Sequence, residues 1–222
     1  MAMQEPGVGP PDEGVNHFPG KGLAFRFLIA VDAEGFSRCC AAEQASIQAD
    51  LDRALGHAAR AVGLDRDKWL SQPGGDGELA ELPLGTDGLS LVADFPRQLA
   101  ATLSEINAAR VAGPRLRIRM AIHHGAVSPG RLGSVGPALI LIARLLDANV
   151  VRQQLRTQPD RDLALIVSAW VYDEVIKTRF HGLRPEAFSR VAGHAKRLPY
   201  VGYLHQEDFA GVGDQVPATA GT

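Results

Sequence analysis

Cysteine is nearly missing from this chain: there are two in 222 residues, at the adjacent positions Cys39 and Cys40. Neighbouring cysteines form neither a disulfide framework nor a zinc ligand set. Both thiols are expected to be small, reduced, structural residues, with a redox switch as the lesser reading. Charge of either sign is also scarce in excess. The 23 basic side chains against 25 acidic ones leave a net charge of -2, which advertises neither nucleic acid nor an anionic membrane as partner. No apolar run approaches a bilayer span, and Met1-Ala2-Met3-Gln4-Glu5-Pro6 does not follow the basic-then-apolar order of a signal peptide. A cytoplasmic protein is expected. No internal repeat is visible.

What is present suits one globular domain, since 45% of the residues are hydrophobic and 22% charged. The Gly- and Pro-rich residues 1–22 read as a flexible arm, 23–206 as the domain and 207–222 as a flexible tail. Order begins with a strand over Leu23 to Asp32. A helix follows, with Ile47, Leu51, Leu55, Ala58 and Val62 at helical spacing and Gly63 placed to end it. Two short strands flank Gly74-Gly75-Asp76-Gly77, a hairpin composition because glycine tolerates positive backbone angles. After a loop around Gly85 to Gly88, Asp94 is expected to cap a helix with Pro96 in its first turn and Leu99, Leu103 and Ile106 on its apolar face.

Leu116, Ile118, Met120 and Ile122 alternate with Arg117, Arg119, Ala121 and His123, the pattern of a half-buried strand. The Gly-rich segment Gly125 to Gly136 leads to a helix whose Leu139, Ile142, Leu145 and Leu146 share a face. A strand at Leu163 to Val167, a short helix over Ala169 to Ile176 and extended segments near Ser189 to Val191 and Tyr200 to Leu204 complete the reading. This order suits an α+β fold, a ferredoxin-like or palm-type mixed sheet with helices packed on one face.

The run Phe27-Leu28-Ile29-Ala30-Val31 ends on Asp32, which is either a turn-capping residue or a carboxylate delivered by a buried strand to the sheet edge. Asp76 at the hairpin is either a turn residue or a second such carboxylate. Arg144 reads on its own as a helix-surface ion pair. Together, however, four motifs in order resemble the catalytic domain of the class III nucleotidyl cyclases: Asp32-Ala33-Glu34-Gly35-Phe36, the Gly75-Asp76 hairpin, Arg119-Met120-Ala121-Ile122-His123-His124-Gly125, and Ala143-Arg144-Leu145. Ile166-Val167-Ser168 with Tyr172 resembles the late strand and helix of that family, so the resemblance runs from about Phe25 to Leu204. The hairpin is also similar to the Gly-Gly-Asp-Glu-Phe signature of diguanylate cyclases. Gly77 intervenes here, and the downstream motifs fit class III better.

The resemblance implies closure of a nucleoside triphosphate into a 3′,5′-cyclic nucleotide, with two Mg2+ or Mn2+ ions held by Asp32 and Asp76. It also implies a head-to-tail homodimer in which Arg144 crosses the interface to stabilise the transition-state phosphate. Gln72 falls where the family has a purine-reading lysine, and Gly133 where it has that lysine's acidic partner. Ile140 stands where an asparagine positions the ribose or transition state. Arg131 and Lys196 lie in loops that carry triphosphate-binding residues in the family. His123 is expected to be structural; His124, on the opposite strand face, is a structural residue or a ligand contact.

Two functions follow. The first is a metal-dependent cyclase with altered base choice. The second is a catalytically inactive homologue, a nucleotide-binding or dimerisation module that regulates a protein partner. Asp32, Asp76 and Arg144 speak for the first, and Ile140, Gln72 and Gly133 for the second.

Overall fold

In the computed structural model, residues 22–195 and 198–209 are described. Most of both expected arms, and Lys196, lie outside them. At the centre, β1 (Ala24–Ala33) runs antiparallel to β4 (Ile118–Val127), from Ala24 opposite Val127 to Ala33 opposite Ile118. A hairpin of β2 (Leu70–Pro73) and β3 (Gly77–Glu81) extends the sheet beyond β1. On the other side come β5 (Leu163–Ser168), parallel to β4, and the antiparallel pair β6 (Phe188–Ala195) and β7 (Leu198–His205). The seven strands lie in the order β2-β3-β1-β4-β5-β7-β6, a mixed sheet as expected.

Helices cover both faces of this sheet rather than one. Side chains alternate along a strand, so Ile29 and Val31 pack with α1 (Ala41–Ala61) and α2 (Phe95–Ala109), whereas Leu28 and Ala30 pack with α3 (Pro137–Leu146) and α4 (Asn149–Thr157). The reason was in the composition of β1. Leu28 to Val31 are apolar without alternation and all are at most 2% exposed, the pattern of a strand buried on two sides. α4 escaped the sequence reading because Val151 and Leu155 are its only buried apolar residues.

Local chemistry fixes the helix ends. Glu43 accepts the Cys40 backbone N–H at 2.8 Å in a capping box that starts α1. Cys40 therefore has a structural place despite its exposure. Gly63, at φ 72°, follows the end of α1 as expected. Asp94 is not a cap. The helical path starts earlier, in a π-turn over Ser90–Asp94, and Asp87 caps it by accepting the N–H groups of Leu89 and Ser90, both at 3.1 Å. Asp94 instead pairs with Arg97 and His181. After β5, α5 (Ala169–Glu174) starts at Ser168, whose hydroxyl accepts the Val171 N–H. Among the described residues no helix is long and apolar enough to cross a membrane.

Candidate active site

β1 carries Asp32 to the edge of the core, where it is 9% exposed. Its Oδ2 accepts from Arg119 Nη2 at 2.5 Å, while Oδ1 is buried with no hydrogen-bond partner among the described residues. Loss of water around this carboxyl pushes its pKa up to about 6, against the attraction of Arg119 and with a further upward push from Asp76.

Asp76 reaches the same place through the backbone. Its carbonyl accepts the Ala33 N–H at 2.7 Å, which ties the hairpin tip to the residue after Asp32. Gln48 of α1 holds the tip from outside by donating to the Gly75 carbonyl at 2.6 Å. None of Gly74, Gly75 and Gly77 has a positive φ, and only Gly77 is required, for a different reason from the expected one. Gly77 sits opposite Asp32, and a Cβ there would lie 1.9 Å from the Val31 carbonyl oxygen. Only a residue without a side chain lets β3 approach β1 closely enough to bring the two aspartates together.

The pair suits a hard divalent cation: two carboxylates, one with a bare buried oxygen and the other exposed. Among the described residues no group of three or more His, Cys, Asp or Glu side chains could hold a metal, so the remaining ligands would have to come from water and substrate oxygens.

Gln72 and Gly133 also meet. The Gln72 amide nitrogen is 3.1 Å from the position a Cβ on Gly133 would take, and Gly133 has φ 107°. The two positions that resemblance assigns to base reading thus adjoin, without the lysine-acid pair. Arg131 is exposed two residues away in the same loop. Arg144 is half-buried in the last turn of α3 and makes no hydrogen bond or ion pair among the described residues; Ile140, one turn earlier, is 53% exposed. Neither residue is joined to Asp32 or Asp76 by any such contact within the chain.

His123 is buried and shares a 2.9 Å hydrogen bond between Nδ1 and the Ser168 hydroxyl. Burial, with a contribution from His124, holds its pKa down to about 4. His124 points the other way and stacks on Trp170 at 4.2 Å, with Phe27 edge-on at 4.8 Å. Sequence alone does not single out Arg119 as a site residue, because strand alternation puts it on the open side of β4. Its signal was charge complementarity: Asp32-Ala33-Glu34 at the end of β1 faces Arg117-Ile118-Arg119 at the start of β4, giving the pairs Asp32–Arg119 and Glu34–Arg117.

No family model matches this sequence, and no curated protein is significantly similar to it. Solved structures are similar in fold. The guanylyl cyclase Cya2 superposes with a TM-score of 0.60 at 14% identity, over 90% of this chain and 98% of that one. An adenylate/guanylate cyclase/hydrolase from Silicibacter pomeroyi gives 0.59 at 17% identity, over 84% and 99%. The catalytic core of a rhodopsin-guanylyl cyclase with converted specificity, in complex with ATPαS, gives 0.51 at 13% identity, over 83% and 98%. The mixed sheet, the element order and these superpositions agree with the motifs: this chain has the fold of the class III nucleotidyl cyclase catalytic domain, in a divergent form.

Proposed function

We propose that this protein is a cytoplasmic, metal-dependent nucleotidyl cyclase that works as a homodimer, closing a nucleoside triphosphate to a 3′,5′-cyclic nucleotide and releasing pyrophosphate. The observation that carries the proposal is the convergence of Asp32 and Asp76, enforced by the Ala33–Asp76 backbone hydrogen bond and by the side-chain-free position at Gly77. Bound Mg2+ or Mn2+ would acidify the attacking 3′-hydroxyl and neutralise the triphosphate.

The protein's own groups divide the remaining work. Asp32 and Asp76 hold the cations against the hairpin. Arg144, permanently charged and with no partner among the described residues, supplies positive charge to the reacting phosphate of the neighbouring subunit. Arg131 adds a cation for the triphosphate. Gln72 both donates and accepts hydrogen bonds and so does not impose one purine, while Gly133 beside it has no side chain with which to read a base. That the rhodopsin-guanylyl cyclase core binds ATPαS supports a triphosphate as the ligand. Incubation of the purified protein with each of the four nucleoside triphosphates and Mn2+ tests the proposal. Cyclic product with pyrophosphate is expected, and none from any triphosphate overturns it.

The exposed Ile140 favours a second reading, a catalytically silent homologue that binds nucleotide or dimerises to regulate a protein partner. An isoleucine offers no hydrogen bond where an amide would position the ribose. Calorimetry separates the readings: nucleotide binding without turnover supports the second, and absence of both nucleotide and metal binding reduces it to an interaction domain.

A further inference from the structure

The two cross-strand ion pairs at the end of β1 are not equivalent. Arg117 pairs with Glu34 at 2.8 Å and is also anchored to the backbone, donating to the carbonyls of Arg161 at 3.0 Å, Gln158 at 2.9 Å and Leu155. Arg119 has far less to hold it. Among the described residues it reaches, apart from Asp32, only the Leu146 carbonyl, at 3.5 Å, and its buried Nε has no partner there. The side chains of Arg119 and Asp32 are 11% and 12% exposed, so water screens their attraction poorly. Asp32 is therefore already one half of a closed ion pair before any metal arrives. A divalent cation on the bare Oδ1 would have to share one carboxylate with the Arg119 guanidinium.

We propose that Arg119 is a built-in counter-ion of the metal site, which keeps the nucleotide-free protein from binding a divalent cation tightly and makes the metal enter together with the triphosphate. This rests on the reading of Asp32 as a metal carboxylate. The reason is electrostatic. Two cations on one carboxylate repel each other in a poorly screened site, and the negative charge of a triphosphate offsets that repulsion. Arg119 is a positioning residue in this account and touches no reacting atom.

The test is a titration of the full chain with Mn2+, read by the electron paramagnetic resonance of the free ion, with and without a nonhydrolysable triphosphate. Circular dichroism checks folding. Wild-type protein is expected to bind Mn2+ at least about tenfold more weakly without the triphosphate. Arg119→Met and Arg119→Gln, the latter keeping a hydrogen-bond donor to Asp32, are expected to tighten nucleotide-free binding by about tenfold. Arg119→Lys, which keeps the charge, and Arg117→Met, which removes the neighbouring one, are expected to stay within about threefold of wild type. Unchanged or weaker binding in the two neutral Arg119 variants overturns the inference, because a purely structural role gives that result. Should those variants not fold, equal wild-type affinity with and without the triphosphate overturns it instead. Asp32→Asn marks the other failure: if it binds Mn2+ as wild type does in the presence of the triphosphate, the metal reading of Asp32 falls, and this inference with it.

Discussion

Ile140 and Arg144 stand one turn apart on α3, so an exposed apolar side chain and an arginine with no partner among the described residues share one side of that helix. An asparagine in place of the isoleucine would put a hydrogen-bonding amide beside the arginine. Ile140→Asn is expected to raise cyclic-nucleotide formation by about a hundredfold, the usual worth of one preorganised donor. Its unfolding free energy should stay within about 0.5 kcal/mol of wild type, as for other surface changes. Product formation over time and urea unfolding measure the two effects.

Arg144→Ala is expected to lower product formation by about two to three orders of magnitude. The urea midpoint should not move, because no hydrogen bond or ion pair is lost among the described residues. If Arg144 serves the neighbouring subunit, mixing Arg144→Ala with Asp76→Asn restores activity, since one site of the mixed dimer is then intact. Persistent inactivity of the mixture would place all the working residues of a site in one chain.

Gly77→Ala should be far more damaging than its size suggests. Its methyl group would sit 1.9 Å from the Val31 carbonyl oxygen, and backbone on both sides would have to yield. A loss of about 3 kcal/mol is expected by denaturant titration, at the upper end for overpacking. The stabilisation by Mn2+ and triphosphate should disappear as well, because the hairpin can no longer hold Asp76 beside Asp32.

Acid should destabilise the fold through its buried histidines. His123 and His205 are both held at about 4, below the ordinary 6.5, chiefly by burial. Between these values the unfolded chain binds protons that the folded chain refuses, so stability present above pH 6.5 is lost as the pH falls toward 4. Asp32 acts in the opposite sense, because its carboxyl is raised to about 6 and takes up a proton in the folded state first. Replacing His123 by Asn should shrink the loss of unfolding free energy from pH 7 to pH 5 by about 2 kcal/mol. Urea titrations of the variant and wild type at the two pH values measure it.

Much of this fold was legible because long periodic segments dominate it. The apolar spacing of α1 and α2 and the unbroken run in β1 each fixed an element. The start of α2 was not legible, because Asp87 and Asp94 both precede helical residues and only the π-turn decides between them. α4 was lost to its two lone apolar anchors. At the site, Asp32 and Asp76 were visible as carboxylates at a strand end and a hairpin tip, and Gln72 and Gly133 only through the family resemblance; the structure brings the members of each pair next to one another. Arg119 was hidden because alternation alone sends it toward solvent. Its partner lies 87 positions earlier, and only the pairing of β1 with β4 reveals it.

That pairing has a consequence for how the chain finds its fold. β1 and β4 meet only after the whole segment between them has been closed, a slow kind of contact in which the strands could settle out of step. The two acid-arginine rungs discourage this. A slip by one residue would set Asp32 against Ile118 or Met120, and a slip by two in the direction of Ala121 would leave Asp32 without an arginine. The same four side chains that surround the candidate site would thus serve during folding as a register mark for the centre of the sheet.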